Sequence, residues 1–377
     1  MSFVFLHSAD WQVGKVFGAL PREVAGVLAE ARLAAIDRLA AAAITGAARH
    51  VLVAGDAFDN DTLSPKAVRQ ALARIGRHGG LTWHLLPGNH DAHRAGGLWE
   101  RLLADDPPAN LRTYLTPQPI EIEGGVWLLP APLFGRATGS DPTAHFDSIA
   151  TPSGALRIGL AHGSVRGFGA SGEASVNIAA NRAASARLDY LALGDWHGAK
   201  RIDARTWYAG TPEPDRYLDN EPGHALVVRI EAPGAPPTVE KIGTAQFVWL
   251  RYELDFRQPG DFDRLDKLIA GAAARPSDVL LQLELSGRAT ATQRQEIGRR
   301  LEKLHAALRH LDADLSQLSV KASSADLEAL GRGGQLRQVG ERLAGLASDP
   351  SAPGAAVASE ALTLLLDLTA EAGGGQS

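Results

Sequence analysis

Leu85-Leu86-Pro87-Gly88-Asn89-His90-Asp91 is the stretch on which the reading of the chain turns. An apolar run from Leu81 to Leu86 predicts a strand, and it stops at Pro-Gly, a pair suited to a sharp bend. An amide, an imidazole and a carboxylate follow the bend directly. Open α/β sheets place their chemistry just beyond the carboxyl ends of their strands. Taken alone, the tetrapeptide Gly88 to Asp91 reads equally well as a polar turn with one solvated histidine. The company it keeps decides between the two.

Upstream, Phe3 to Leu6 predicts a buried strand ending at His7-Ser8-Ala9-Asp10-Trp11-Gln12. A helix is expected from Pro21 to about Gly46, with Val24, Leu28, Ile36, Leu39 and Ala43 at helical spacing. Pro21 suits its first position. Val51 to Ala54 is a second strand, ending at Gly55-Asp56-Ala57-Phe58-Asp59, and Pro65 opens a helix to about Arg77. The order β-α-β-α-β predicts parallel strands joined by crossover helices. Downstream, strands are expected at Val126–Leu129, at Arg157–Ala161 before His162-Gly163, and at Tyr190–Leu193 before Gly194-Asp195-Trp196-His197. Gly167 to Gly172 reads as a mobile glycine-rich loop. Ala225–Ile230 and Thr238–Ile242 read as a hairpin that closes a first domain at about residue 245. Residues 246–330 then read as a small β-α-β-α-β cap, with helices over 262–273 and 291–311 and a last strand at 315–320. Residues 331–377 read as a helical tail with a linker at 348–354.

Composition narrows the function. The formal net charge of −5 gives no general affinity for nucleic acid, so any such binding must come from a local patch, a metal site or a partner. The absence of cysteine removes disulfides, thiolate ligands and a cysteine nucleophile, and fits a reducing compartment. No segment has the run of about 18–20 apolar residues that a membrane helix needs. The start of the chain has no signal-peptide pattern. The expected location is the cytoplasm.

The polar residues that directly follow apolar strands form one set: Asp10 and Gln12, Asp56, Asn89 and His90, His162, and Asp195 and His197. Turn formation explains one or two such residues, but not a metal-capable group at five separate strand ends. A pair of divalent cations about 3.5–4 Å apart needs a shared carboxylate within a shell of oxygens and imidazoles. Asp56, in the middle of the set, suits the bridge. His90 adjoins Asn89 but must point differently, which frees it to act as an acid toward a leaving oxygen, with Asp91 or Asp59 orienting it.

Asp10-Trp11-Gln12, Gly55-Asp56-Ala57-Phe58-Asp59, Gly88-Asn89-His90-Asp91, His162-Gly163 and Gly194-Asp195-Trp196-His197 resemble the five motifs of the calcineurin-like metallophosphoesterases, in order and spacing. His7-Ser8-Ala9-Asp10-Trp11, Gly55-Asp56-Ala57-Phe58-Asp59 and Tyr208-Ala209-Gly210-Thr211-Pro212 narrow the resemblance to the DNA-repair exonuclease branch, the SbcD-like and YhaO-like nuclease subunits. The resemblance implies an α/β fold, a two-sheet αββα sandwich with a small α/β cap domain. It implies one metal held by Asp10, Gln12, Asp56 and His197, and another by Asp56, Asn89, His162 and Asp195, with His90 catalytic. Positions 12 and 195 are commonly histidine in that family. Gln12 and Asp195 keep a donor oxygen and make the site more oxygen-rich, which favours Mn²⁺ or Mg²⁺ over Zn²⁺. The implied partners are DNA and an SMC-like coiled-coil ATPase, with a homodimer also suggested. Two rivals stand beside a DNA exonuclease or endonuclease: a phosphodiesterase for a small nucleotide, and a catalytically impaired subunit that tethers DNA or the ATPase.

Lesser signals complete the reading. His7 is a candidate for contact with substrate or a ligand, and Arg216 for gripping a phosphate near the metals. Trp11 and Trp196 are expected to wall off the site, and His84 to be a packed core histidine. Arg294, Arg299, Arg300, Lys303 and Arg309 make one face of the cap helix basic.

Overall fold

The computed structural model describes residues 2–167, 176–218, 220–256, 261–270, 275–320, 327–328, 330, 334–347 and 353–374. Residues 168–175, which take in most of the glycine-rich loop, and 348–352, most of the expected linker, lie outside the described residues. Contacts divide the chain into two units, Met1–Phe247 and Val248–Ser377.

The first unit is built on two six-stranded sheets. Its strands, in chain order, are β1 (Phe3–Ser8), β2 (His50–Val53), β3 (Thr82–Leu85), β4 (Leu111–Thr113), β5 (Ile120–Glu123), β6 (Val126–Ala131), β7 (Leu156–His162), the short pair β8 (Ser164–Val165) and β9 (Asn177–Ile178), β10 (Tyr190–Gly194), β11 (Lys200–Arg201), β12 (Thr206–Tyr208), β13 (His224–Ile230) and β14 (Thr238–Gly243). One sheet runs β14-β13-β1-β2-β3-β4 and the other β11-β12-β10-β7-β6-β5. Strands β1 to β4 are parallel, as are β6, β7, β10 and β12; β13 and β14 close the first sheet as an antiparallel hairpin.

Alternation along the strands explains the layering, because successive side chains point to opposite faces. Phe3 and Phe5 of β1, Leu52 of β2, Ile158 and Leu160 of β7, Tyr190 and Ala192 of β10 and Leu226 and Val228 of β13 share one core between the sheets. Leu6, Val51, Val53, Trp83 and Leu85 face the other way, onto α1 (Arg22–Thr45), α2 (Pro65–Arg77) and α3 (Leu98–Ala104). The outer face of the second sheet, with Leu129, Ala161, Leu191 and Leu193, packs on Phe146 and on Ala183 of the short α4 (Arg182–Ser185). The architecture is the expected α/β sandwich of two multi-strand sheets.

Several elements differ from the expectation. Pro21 caps α1 from outside rather than opening it. Strand β6 runs through Pro130 to Ala131. In the second unit, strands β15 (Val248–Phe256), β16 (Val279–Ala289) and β17 (His310–Val320) form a parallel sheet with α5 (Asp261–Ala270) and α6 (Ala291–Ala307), followed by helices Gln335–Ala347 and Ala355–Gly374. Leu311, placed on the stripe of the second cap helix by spacing alone, instead pairs with Leu281 in the sheet. The helix stops because Leu308 turns extended, with φ −84 and ψ 158. No helix among the described residues is long and apolar enough to cross a membrane.

Candidate metal centre

The strands that end in polar motifs are β1, β2 and β3 of one sheet and β7 and β10 of the other. Their carboxyl ends bring the polar residues of both sheets to one rim. Backbone bonds tie the turns together: Asp10 N–H donates to Gly55 O (3.1 Å), Gln12 N–H to Asp56 O (2.9 Å) and Gly163 N–H to Gly194 O (3.1 Å). Asp10, Gln12, Asp56 and Asp195 all have positive φ, at 55, 42, 53 and 104°. Non-glycine residues rarely adopt such angles, and each costs about 1–3 kcal/mol that the surrounding structure must supply. Four of the chain's strained positions therefore fall within one cluster of polar side chains.

Two glycines make the approach between turns possible. A Cβ on Gly55, which has φ +88, would lie 2.3 Å from Nδ1 of His162. A Cβ on Gly88 would lie 2.1 Å from Oδ1 of Asp56. Neither position tolerates a side chain without moving a candidate ligand.

Asp10, Asp56 and His162 are buried, and one ligand atom from each lies within 4.8 Å of the others. His162 Nδ1 is 2.8 Å from the carbonyl of Ala54, which can only accept, so Nδ1 carries the proton and Nε2 faces the carboxylates. Nε2 is 3.5 Å from Asp56 Oδ2 and 3.8 Å from Asp195 Oδ1. Asp195 is steered by Ser164 Oγ, which donates to its Oδ2 at 2.7 Å, and its own N–H donates to Asp10. The backbone N–H of His90 donates to Asp56 Oδ1 at 2.9 Å, which ties the Asn89–His90 turn to the cluster.

The electrostatics call for a cation. Burial pushes the Asp10 carboxyl up to about 6, against the opposing pull of His197 and His162. Burial alone would lower His162, but Asp56, Asp10 and Asp195 outweigh it and push the imidazole up to about 9. Buried Asn89 Oδ1 and His162 Nε2 have no hydrogen-bond partner. Orphaned buried polar atoms are rare and need an explanation such as an ion. An orphaned amide oxygen, and an imidazole nitrogen whose proton a metal would replace, beside clustered carboxylates fit a divalent cation.

Gln12 and His197 meet on the other side of the rim, with their Nε2 atoms 3.4 Å apart. His197 Nδ1 is 3.3 Å from Asp215 Oδ1. Lys15 Nζ lies 2.7 Å from Asp215 Oδ2 and donates to Gln12 Oε1 at 3.2 Å. Burial would raise the Asp215 carboxyl, but His197, Arg216 and Arg32 hold it well below the usual carboxylate range.

The remaining predicted residues divide. His90 is exposed, with Nδ1 2.9 Å from the Asp59 carbonyl. Its orienting partner is thus the backbone of Asp59, whose carboxylate accepts from Asn60 instead. The Asp91 carboxylate does not turn His90. It is buried and braces the turn, accepting from Gly88 N–H (2.7 Å) and Phe58 N–H (3.1 Å), and burial pushes it up to about 8. His7 is fully buried between Tyr190 OH and Leu193 O. Arg216 spends its guanidinium on both oxygens of Asp215. Trp11 lies in the helix-covered core, edge-on to Trp83, its indole N–H on Ser8 Oγ. His84 is packed as expected, between His50 and Tyr114.

Sequence reasoning missed Lys15, the bond from Ser164, the bond from His197 to Asp215, and Arg32. Arg32 is buried and donates to the carbonyls of Asp10, Trp11 and Glu213, holding the loop that carries the first ligands. Its signal was present: it stands between Leu28 and Ile36 on the apolar stripe of α1, where a charge needs a reason.

A search of the curated proteins finds no match to this chain. The family model for calcineurin-like phosphoesterases matches residues 3–174. Residues 3–174, which carry Asp10, Asp56, Asn89 and His162 on one rim, thus match a calcineurin-like phosphoesterase domain, a family that implies metal-dependent hydrolysis of phosphoesters.

Proposed function

We propose that the chain hydrolyses phosphodiester bonds in DNA, as the nuclease subunit of a repair complex with an SMC-like coiled-coil ATPase. The observation that carries the hydrolytic part is the convergence of Asp10, Asp56 and His162 beside the orphaned Oδ1 of Asn89. Asp56, Asn89, His162 and Asp195 would hold one ion; Asp10, Gln12, Asp56 and His197 would hold a second. Bound divalent ions make water a nucleophile near neutral pH and neutralise charge on the phosphoester. The donor set is mostly oxygen, which favours Mn²⁺ or Mg²⁺.

The chain's own residues do the rest. The Ala54 carbonyl keeps His162 Nε2 aimed at the carboxylates. The Asp59 carbonyl fixes the proton on His90 Nδ1, so Nε2 is the nitrogen that gains and loses a proton at the exposed edge of the site. From there it can protonate the leaving oxygen. The choice of DNA rests on the motifs shared with the repair exonucleases. On α6, Arg299 pairs with Glu296, and Arg300 with Glu296 and Asp266, so these two charges are already matched.

A nuclease assay with varied divalent ions, on linear and circular single-stranded DNA, tests the reading. Cutting with Mn²⁺ that His90→Ala removes without unfolding the protein is expected. Faster turnover of a cyclic nucleotide than of DNA would overturn the choice of substrate. No turnover of any phosphodiester would leave only a tethering role.

A further inference from the structure

The two sides of the rim treat their polar atoms differently. On one side, Asn89 Oδ1 and His162 Nε2 are left without a hydrogen-bond partner. Beside Gln12 and His197, four side chains close a ring: Lys15 to Gln12 (3.2 Å), Gln12 to His197 (3.4 Å), His197 to Asp215 (3.3 Å) and Asp215 back to Lys15 (2.7 Å).

Donor and acceptor rules give the ring one consistent assignment. An ammonium only donates, so the Gln12 atom facing Lys15 must be its oxygen. The Gln12 amide nitrogen then faces His197 Nε2, which must accept. His197 Nδ1 therefore carries the proton and donates to Asp215. Reversing the amide would set two donors, Lys15 Nζ and the Gln12 nitrogen, against each other. In this arrangement Gln12 Oε1, the one atom through which Gln12 could ligate an ion, points at an ammonium. The His197 Nε2 lone pair is taken by an amide N–H.

Local structure puts Lys15 there. Lys15 N–H donates to Gln12 O (3.1 Å), closing a tight turn that Gly14 makes possible at φ +91. The turn returns the lysine beside the glutamine three residues before it. The Lys15 side chain is only 20% exposed and Asp215 only 2%, so water screens the pair little.

We infer that Lys15 is a built-in competitor for one of the two ions: its ammonium holds Gln12 and His197 closed, so the chain takes one divalent ion tightly beside Asp56, Asn89 and His162 and admits a second only by displacing Lys15. This rests on the metal-dependent reading above. Like charges at close range in a half-buried site repel strongly enough to separate the two affinities by about tenfold or more.

Mn²⁺ binding to the full chain tests this, by calorimetry for stoichiometry and by electron paramagnetic resonance for isolated against coupled ions. The wild type is expected to bind one ion, with an isolated-ion spectrum at one equivalent, and a second at least about tenfold more weakly. Lys15→Met is expected to tighten the second site by about tenfold and give a coupled spectrum. Gln12→His, which removes the Lys15 acceptor and adds an imidazole, is expected to do the same and serves if Lys15→Met does not fold. Two equally tight ions in the wild type overturn the inference, as does a second site unchanged in the variants that fold. No bound ion in any of these proteins overturns the metal-dependent reading itself, and this inference falls with it.

Discussion

The two halves of the rim are made of similar groups and are in opposite states. Asn89 follows a buried strand and His162 ends one; they present Oδ1 and Nε2 atoms that no protein group hydrogen-bonds, with His162 Nδ1 held by the Ala54 carbonyl. Gln12 and His197 sit on loops, steered by the side chains Lys15 and Asp215, with their lone pairs already engaged. Ligand identity alone therefore does not define a metal site. What matters is whether the protein leaves the ligand unsatisfied or supplies a partner of its own.

Substitutions should separate the halves. Asp56→Ala removes the carboxylate assigned to both ions and the acceptor for His90 N–H. Phosphodiesterase activity should fall by about a thousandfold or more and stay low at any Mn²⁺ concentration. Equal loss from an Asp59→Ala control would break the assignment. Asp215→Asn acts only on the loop-borne half, by weakening the partner of His197. Activity should fall about 10–100-fold, the usual cost of losing a partner behind a metal-ligating histidine, and recover in part at high Mn²⁺. Loss that no metal restores would show that Asp215 serves the whole site.

The smallest effect concerns pH in the metal-free protein, where two buried histidines carry opposite signs. The surrounding carboxylates hold His162 up to about 9. Its contribution to stability is complete below the unfolded value of about 6.5 and is lost as pH rises through about 9. Burial, helped by His50 and Arg112, takes His84 down to about 3. Its neutral packing is cost-free above about 6.5, and stability is lost as pH falls from there toward about 3. Denaturant titrations across pH should show His162→Ala flattening the alkaline limb and His84→Gln flattening the acid limb. Saturating Mn²⁺ should replace the alkaline dependence of the wild type. An alkaline limb unchanged in His162→Ala would place that proton elsewhere.

Much of the rim was legible in the sequence because its logic is local. An apolar run of four to six residues, then a glycine or aspartate turn, then a ligand, is a pattern within one window, and β1, β2, β3, β7 and β10 all show it. The edge strands were less legible. Leu111–Thr113 and Ile120–Glu123 are only three and four residues long, too short for the Ile-Glu-Ile-Glu alternation of the second to stand out. Leu311 fits a helical stripe by spacing and a strand by pairing, and only the sheet decides. The closed ring was not legible at all. Gln12 and His197 are 185 residues apart, and nothing local announces that Lys15 and Asp215 join them. Nor does anything local announce that Asp215, the partner of Arg216, is also the partner of His197.

Crystals soaked in Mn²⁺ and measured for anomalous scattering test the central claim most directly. A strong peak within bonding distance of Asp56, Asn89 and His162, with a weaker peak or none between Gln12 and His197, is the expected result. A strong peak at Gln12 and His197 with none beside Asn89 and His162 would contradict it.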